Sequence, residues 1–163
     1  MKTLQEVIDT LPQTGKLEWI GLRTLRQGIV ESVQEARVIA HLGIQGDHRS
    51  QNKPPNPDSK RQITLIQAEH LKAVASIMGM PNLDPALTRR NLVISGINLL
   101  ALKDRQFFVG DVLLEYSSLC HPCTRMEEAL GPGGYNAMRG HGGITAKILQ
   151  EGQIHLGDRV RVQ

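Results

Sequence analysis

A β-rich, mixed α/β fold is predicted for this chain: a closed or nearly closed barrel with peripheral helices. Many short β-prone runs recur with few helical stretches between them, which argues against a doubly wound sheet. Turn dipeptides such as Gly110-Asp111 and Gly157-Asp158 punctuate those runs. Aromatic residues are only 3% of the chain against 40% hydrophobic, so the core has to be built from Leu, Ile, Val, Met and Ala. A length of 163 residues suits one domain, with residues 1–16 as a helical extension and 17–163 as the barrel core.

The elements follow in order. Leu4, Val7, Ile8 and Leu11 have helical spacing and Pro12 ends the run, predicting a short amphipathic helix packed on the domain edge. Residues 17–22 read as a strand and lead into the basic Arg23-Thr24-Leu25-Arg26; shorter β-prone pieces lie around Ile29-Val30 and residues 37–40. Gly43-Ile44-Gln45-Gly46-Asp47-His48-Arg49 is a turn whose glycines permit close backbone approach. Asp47 there can orient an imidazole or cap the turn, and a turn of merely solvated polar residues reads equally well. Residues 51–60 hold three of the eight prolines and form a surface loop.

Residues 62–66 read as a strand. The helix over 68–78 is the clearest in the chain, with Leu71, Val74, Ala75 and Met78 on one face and Gly79 and Pro81 as its stop. Arg89-Arg90-Asn91 enters a strand over 92–95, as a solvated flank or as a grip on an oxyanion. Residues 107–114 form two strands joined through Gly110-Asp111, a helix is expected over 124–130, and residues 144–149 are a strand or buried helix. Turns at Glu151-Gly152 and Gly157-Asp158 precede a last strand over 159–162.

Both cysteines fall in Ser117-Ser118-Leu119-Cys120-His121-Pro122-Cys123-Thr124-Arg125, directly after apolar, strand-like residues. Two cysteines three positions apart close too short a loop to staple this fold, which favours a reducing compartment. A thiol acts as nucleophile or metal ligand only when ionised, and cations such as Arg125 or a protonated His121 favour that form. Read alone, Cys120-His121-Pro122-Cys123 is a dithiol redox motif, but the βαβ pattern such motifs need is missing. A structural zinc would want four ligands, and no second Cys/His pair is present.

Net charge is +3, with Lys and Arg spread among acids, a mild bias towards anionic ligands. The clustered cations and interleaved aromatics of a nucleic-acid surface are missing. No secretory signal is read at the start and no apolar run approaches the ~20 residues of a membrane span, so a cytoplasmic protein with neither nucleic-acid nor membrane partner is expected.

Taken together, Gly43-Ile44-Gln45-Gly46-Asp47-His48, Arg90-Asn91-Leu92, Gly96-Ile97-Asn98-Leu99, Gly110-Asp111, Pro122-Cys123, Gly142-Gly143-Ile144 and Gly157-Asp158-Arg159-Val160 resemble the motifs of the MOSC domain in their order. The resemblance covers residues 17 to the end and implies a MOSC-type barrel, similar to the β-barrel domain of pyruvate kinase. It further implies binding of the molybdenum cofactor (Mo-molybdopterin), with Cys123 at the family's metal-binding cysteine. A thiolate is a fitting ligand for a soft metal centre. From the same resemblance, Asp47, Arg90, Asn91, Arg125, Arg139 and Gly142 are candidates to hold the cofactor. Arg90 and Arg139 are expected at its phosphate, and His48 or His141 at the metal's oxo group or the substrate.

The activity so implied is an oxidoreductase component that reduces N-hydroxylated small molecules. Two cysteines cannot supply the four that a [2Fe–2S] cluster takes, so an external electron donor is required. The alternatives are a sulfur carrier in which Cys123 holds a persulfide received from a sulfur-donor protein, and a non-catalytic cofactor-binding module. No pyridoxal-phosphate domain is read in the chain, and a homodimer is compatible with the reading.

Overall fold

Two neighbouring strands set the architecture: β5 (Ile63–Gln67), buried at every position, and β6 (Leu92–Ser95), buried at all but the last. Such runs need cover on both faces, and they have it. Ile63, Leu65, Leu92 and Ile94 point into a core inside the barrel, while Ile66 and Val93 join a second core outside it. The computed structural model describes residues 1–163.

The barrel strands are β1 (Gly15–Leu22), β5, β6, β7 (Gln106–Val109), β8 (Val112–Leu119), β9 (Ile144–Gln150) and β11 (Arg159–Val162). Their spatial order is β11-β7-β8-β9-β5-β6-β1, and pairing of β1 with β11 closes the ring. Pairing is antiparallel except between β5 and β6, whose parallel crossover is made by α2 (Ala68–Ile77), so the seven-stranded barrel is mixed. β2 (Glu31–Val33) extends the sheet beside β1. A small second sheet, β10 (Gly152–His155), β3 (Glu35–Ile39) and β4 (Gly43–Ile44), adds Ala36, Val38, Ile44 and Ile154 to the inner core. Aliphatic side chains and one fully buried aromatic, Phe107, fill that interior, as expected of a barrel too narrow to leave a channel.

Outside the barrel, α2, α3 (Thr124–Leu130) and α4 (Gly134–Met138) bury Leu71, Val74, Met126, Leu130 and Met138 against Ile66 and Val93. Glu127 fixes the α3–α4 connection by accepting hydrogen bonds from the Gly133 and Tyr135 amides at 2.8 and 2.9 Å.

The N-terminal helix α1 (Leu4–Ile8) forms, with Thr3 and Glu6 as a capping box, but it buries none of its residues. The expectation that it packs on the domain edge through its apolar face is thereby corrected. It is tethered instead by Arg105, which donates to the Ile8 carbonyl at 3.0 Å and to Asp9 at 2.7 Å. No helix is long and apolar enough to cross a membrane.

Candidate functional site

Strand β8 carries the chain to Cys120, which is 2% exposed and donates its amide to the Gly143 carbonyl at 2.8 Å. His121 and Pro122 follow without regular structure, and Cys123 then stands at the N-cap of α3, exposed, with no hydrogen bond from its side chain to the helix. The two cysteines are therefore different in kind: Cys120 belongs to the packed interior, and Cys123 presents its sulfur to a cavity of about 180 Å³.

Six arginines line that cavity: Arg23, Arg49, Arg61, Arg89, Arg90 and Arg125. The topology gathers them. Arg23 directly follows β1, while Arg61 and Arg90 each stand two residues before the parallel pair β5 and β6. Antiparallel pairing of β6 with β1 then brings all three to one end. None of the six takes part in any of the protein's ion pairs. The crowding registers on their acidities. Burial first, then the charge of Arg89, pushes Arg23 down to about 10, with Asp47 opposing. Burial likewise holds Arg49, Arg89 and Arg90 below the ordinary guanidinium value, and each also feels another arginine of the cavity. Six cations against one carboxylate, Asp47, in a partly desolvated pocket favour an anion, since a bound anion offsets the remaining repulsion.

Other polar groups of the cavity hold its shape. Arg90, 4% exposed, donates from Nε to the Gly142 carbonyl at 2.9 Å, from Nη1 to Thr88 at 2.9 Å and from Nη2 to Cys120 at 3.3 Å. Asp47, 5% exposed, accepts from the Arg23 amide at 3.0 Å and the Arg49 amide at 3.2 Å, so its carboxylate organises the two loops that carry those arginines. Asn91 accepts from the Thr64 amide and hydroxyl, both at 3.1 Å, and donates to the Gly21 carbonyl at 3.4 Å, lacing β1, β5 and β6 together at the cavity floor. Gly142 is required where it is because a Cβ there would collide with the Cys120 carbonyl.

Of the residues read from the sequence, Cys123, Asp47, Arg90, Asn91 and Arg125 come together at this cavity. Four others do not line it. His48 lies in the adjoining depression with Arg26, Arg49 and Lys53. There Arg23 Nε donates to its Nδ1 at 3.3 Å, and burial together with that guanidinium holds its pKa below the ordinary 6.5 despite Asp47 at 3.6 Å. His141 packs edge-on against His70 of α2, ring centres 4.8 Å apart, with its Nδ1 buried and unpartnered. Arg139 caps the end of α4 at the surface. Gly142 acts through its carbonyl on Arg90.

Arg23, Arg49 and Arg61 have position as their only signal in the sequence, each flanking a strand end or a glycine turn, whereas Arg89 is signalled only by its pairing with Arg90 beside Asn91. A groove of about 890 Å³ under Trp19, between α2 and residues 80–85, is larger than this cavity. It gathers no thiol and no cluster of cations, whereas the smaller cavity gathers both.

A family model described as MOSC domain matches residues 41–161. The chain belongs to the MOSC domain family. MOSC domains are associated with binding of the molybdenum cofactor. No curated protein matches this MOSC domain in sequence. Among solved structures, it is similar to the YuaD protein from Bacillus subtilis, with 19% identity, a TM-score of 0.78, and 94% of this chain and 98% of that one covered. It is also similar to YiiM from Escherichia coli, with 17% identity, a TM-score of 0.68, and 91% and 69% covered. YiiM from Geobacillus stearothermophilus gives 16% identity, a TM-score of 0.68, and 91% and 75% covered. At these identities the likeness establishes the barrel fold.

Proposed function

We propose that this MOSC domain binds the molybdenum cofactor in the arginine-lined cavity through the Cys123 sulfur and works as an oxidoreductase component that reduces N-hydroxylated small molecules. One observation carries the reading: the exposed thiol opens into a cavity with six guanidinium groups, none of them ion-paired. That donor set suits a phosphate-bearing, sulfur-rich metal complex, because thiolates favour soft metals and arginines grip phosphate. When bound, the cofactor supplies two-electron redox chemistry.

The chain's own residues divide the remaining work. Cys123 presents a sulfur ligand from the rigid start of α3. Arg23, Arg49, Arg61, Arg89 and Arg125 offset negative charge and orient it. Arg90, Asp47 and Asn91 fix the loops that carry those groups. Electrons come from an external donor protein.

Expression in a cofactor-competent host, followed by metal and pterin analysis, tests the reading. Stoichiometric molybdenum in the purified protein is expected, together with its loss in Cys123→Ala at unchanged melting temperature. Wild-type protein free of molybdenum and pterin would sink the idea.

The exposure of Cys123 also suits a second reading, a sulfur carrier whose thiolate attacks a donor's sulfane sulfur and hands it on as a persulfide. Intact-mass spectrometry showing one added sulfur atom on the native protein, absent in Cys123→Ala, would favour that reading over the first.

A further inference from the structure

Two apolar surfaces of this chain face solvent with nothing packed on them. One is α1, where Leu4, Val7 and Ile8 share a helical face and are 76%, 54% and 51% exposed. The other is the groove of about 890 Å³ outside the barrel, lined by Trp19 of β1, Leu71 and Ala75 of α2, Met80, Leu83, and Val93 of β6. At five residues α1 is far below the ~12–15 at which an isolated helix becomes even marginal in water. Its capping box and the Arg105 tether hold it, without the apolar partner on which most helical stability in proteins rests.

The charges of the two surfaces match. On the arm, Glu6 is bonded to the Thr3 amide and Asp9 to Arg105, which leaves Lys2 as the charge with no partner. The groove carries Glu18 and Glu69 against a single Lys72, so it is net acidic in a chain of net charge +3. The Ser95 hydroxyl and the Gly96 amide hold those carboxylates in place, donating to Glu18 at 2.7 Å and to Glu69 at 2.8 Å. None of Lys2, Glu18, Glu69 and Lys72 belongs to an ion pair.

The tether bears on whose arm fills the groove. Arg105 holds Ile8 and Asp9 just ahead of β7, and β11 lies between β7 and the strands β1 and β6 that carry the groove. The arm fixed there is out of its own groove, and entering it would break the tether. A second copy's arm enters with every observed contact kept.

We propose that the groove beneath Trp19 receives the α1 arm of a second copy, with Leu4, Val7 and Ile8 as apolar anchors and Lys2 beside Glu18 and Glu69. Amphipathic helices dock in grooves through such i, i+3 and i+4 anchors. Reciprocal exchange across a two-fold axis closes the assembly at two copies. The groove shares no lining residue with the Cys123 cavity, so the inference is independent of the functional reading.

Sedimentation velocity of the full chain over about three decades of concentration tests the exchange, and a monomer–dimer equilibrium is expected. The dissociation constant is expected to rise about tenfold or more in Leu4→Asp/Val7→Asp and equally in Ser76→Arg, whose exposed position lines the groove. At low concentration both variants should melt with the wild type, since neither change touches a buried residue. A dimer unmoved by either variant overturns the proposal.

Trp19 is the chain's one tryptophan and reports on the groove directly. A synthetic peptide of residues 1–11, added to the Leu4→Asp/Val7→Asp protein, is expected to shift Trp19 emission to shorter wavelength, and to shift nothing once Ser76→Arg is also present. No shift in the first case overturns the groove as the receptor. A monomeric wild type overturns the second copy as occupant. Trp19 emission that still responds to the arm substitutions would then place the arm in its own groove, and emission that does not would leave the groove to another ligand.

Discussion

Arg90 is a cation that the sequence marks and the fold redirects. Its guanidinium ties the segment before β6 (Thr88) to the segment before β9 (Gly142) and to the residue after β8 (Cys120), using three of its five N–H donors. Deleting it leaves three buried carbonyls short of a partner, so Arg90→Met is expected to lower unfolding free energy by roughly 3 kcal/mol, measured by urea denaturation. Arg90→Lys restores only part of that loss, because a compact ammonium cannot span three acceptors arranged for a planar fork. Cys123→Ser, at an exposed position, is expected to stay within about 0.5 kcal/mol of wild type in the same measurement. The contrast separates a residue that shapes the cavity from one that acts in it. Residue type revealed the cations and the thiol; it could not reveal which guanidinium faces carbonyls and which faces open space, since that depends on chain segments far apart in sequence.

Elements with strong local signals were legible: α2 from its apolar face and glycine stop, the β7–β8 hairpin from Gly110-Asp111, and α3 after the cysteines. Those held by partners were not. Strand β10 read as part of a turn because its pairing is with β3, over a hundred residues earlier, and α4 begins at glycine, a poor helix former whose placement here is set by packing on Leu130. The packing of α4 beside α2 has a further consequence, the His70–His141 pair. Burial, and then the charge of His141, holds His70 below the ordinary 6.5, with Glu69 opposing; burial and Arg23 do the same to His48. Between those depressed values and 6.5 the unfolded chain binds more protons than the native one. Their stabilising contribution is therefore complete above about pH 6.5 and is lost as pH falls through the folded values. Carboxylates with lowered pKa, Asp9 and Glu127, start from 3.8 and 4.5 and titrate in a separate, more acidic window. A melting temperature that declines from about pH 6.5 to 5 is expected, with a shallower decline in His70→Gln; a slope unchanged by that substitution would remove His70 from the account.

At the scale of the molecule, closure of the barrel was predicted from many short strands, but which strands meet to close it was not, because the seam joins the two ends of the chain. That seam is thin. Gly15 pairs with Val160 and Lys16 with Arg159, whereas β8 and β9 pair from Leu113 to Leu119. Two further bonds, Leu17 amide to Asp158 carbonyl at 2.9 Å and Gly157 amide to Leu17 carbonyl at 2.8 Å, complete it. Gly15 is the vulnerable point, since a Cβ there would sit 2.8 Å from the Ser95 carbonyl oxygen of β6 and against Ile97. A backbone oxygen cannot rotate away as a side chain can, so Gly15→Ala must shift β1 relative to β6, at a cost of about 1–3 kcal/mol. The inner core runs unbroken from Leu17 and Val160 at the seam to Leu114 and Ile148 on the far side. If that core unfolds as one cooperative unit, Gly15→Ala should lower hydrogen-exchange protection by the same factor in β8–β9 as in β1 and β11. Loss of protection confined to β1 and β11 would instead show that the seam opens by itself, and that the cavity, whose Arg23 follows directly on β1, can lose one wall without unfolding the rest.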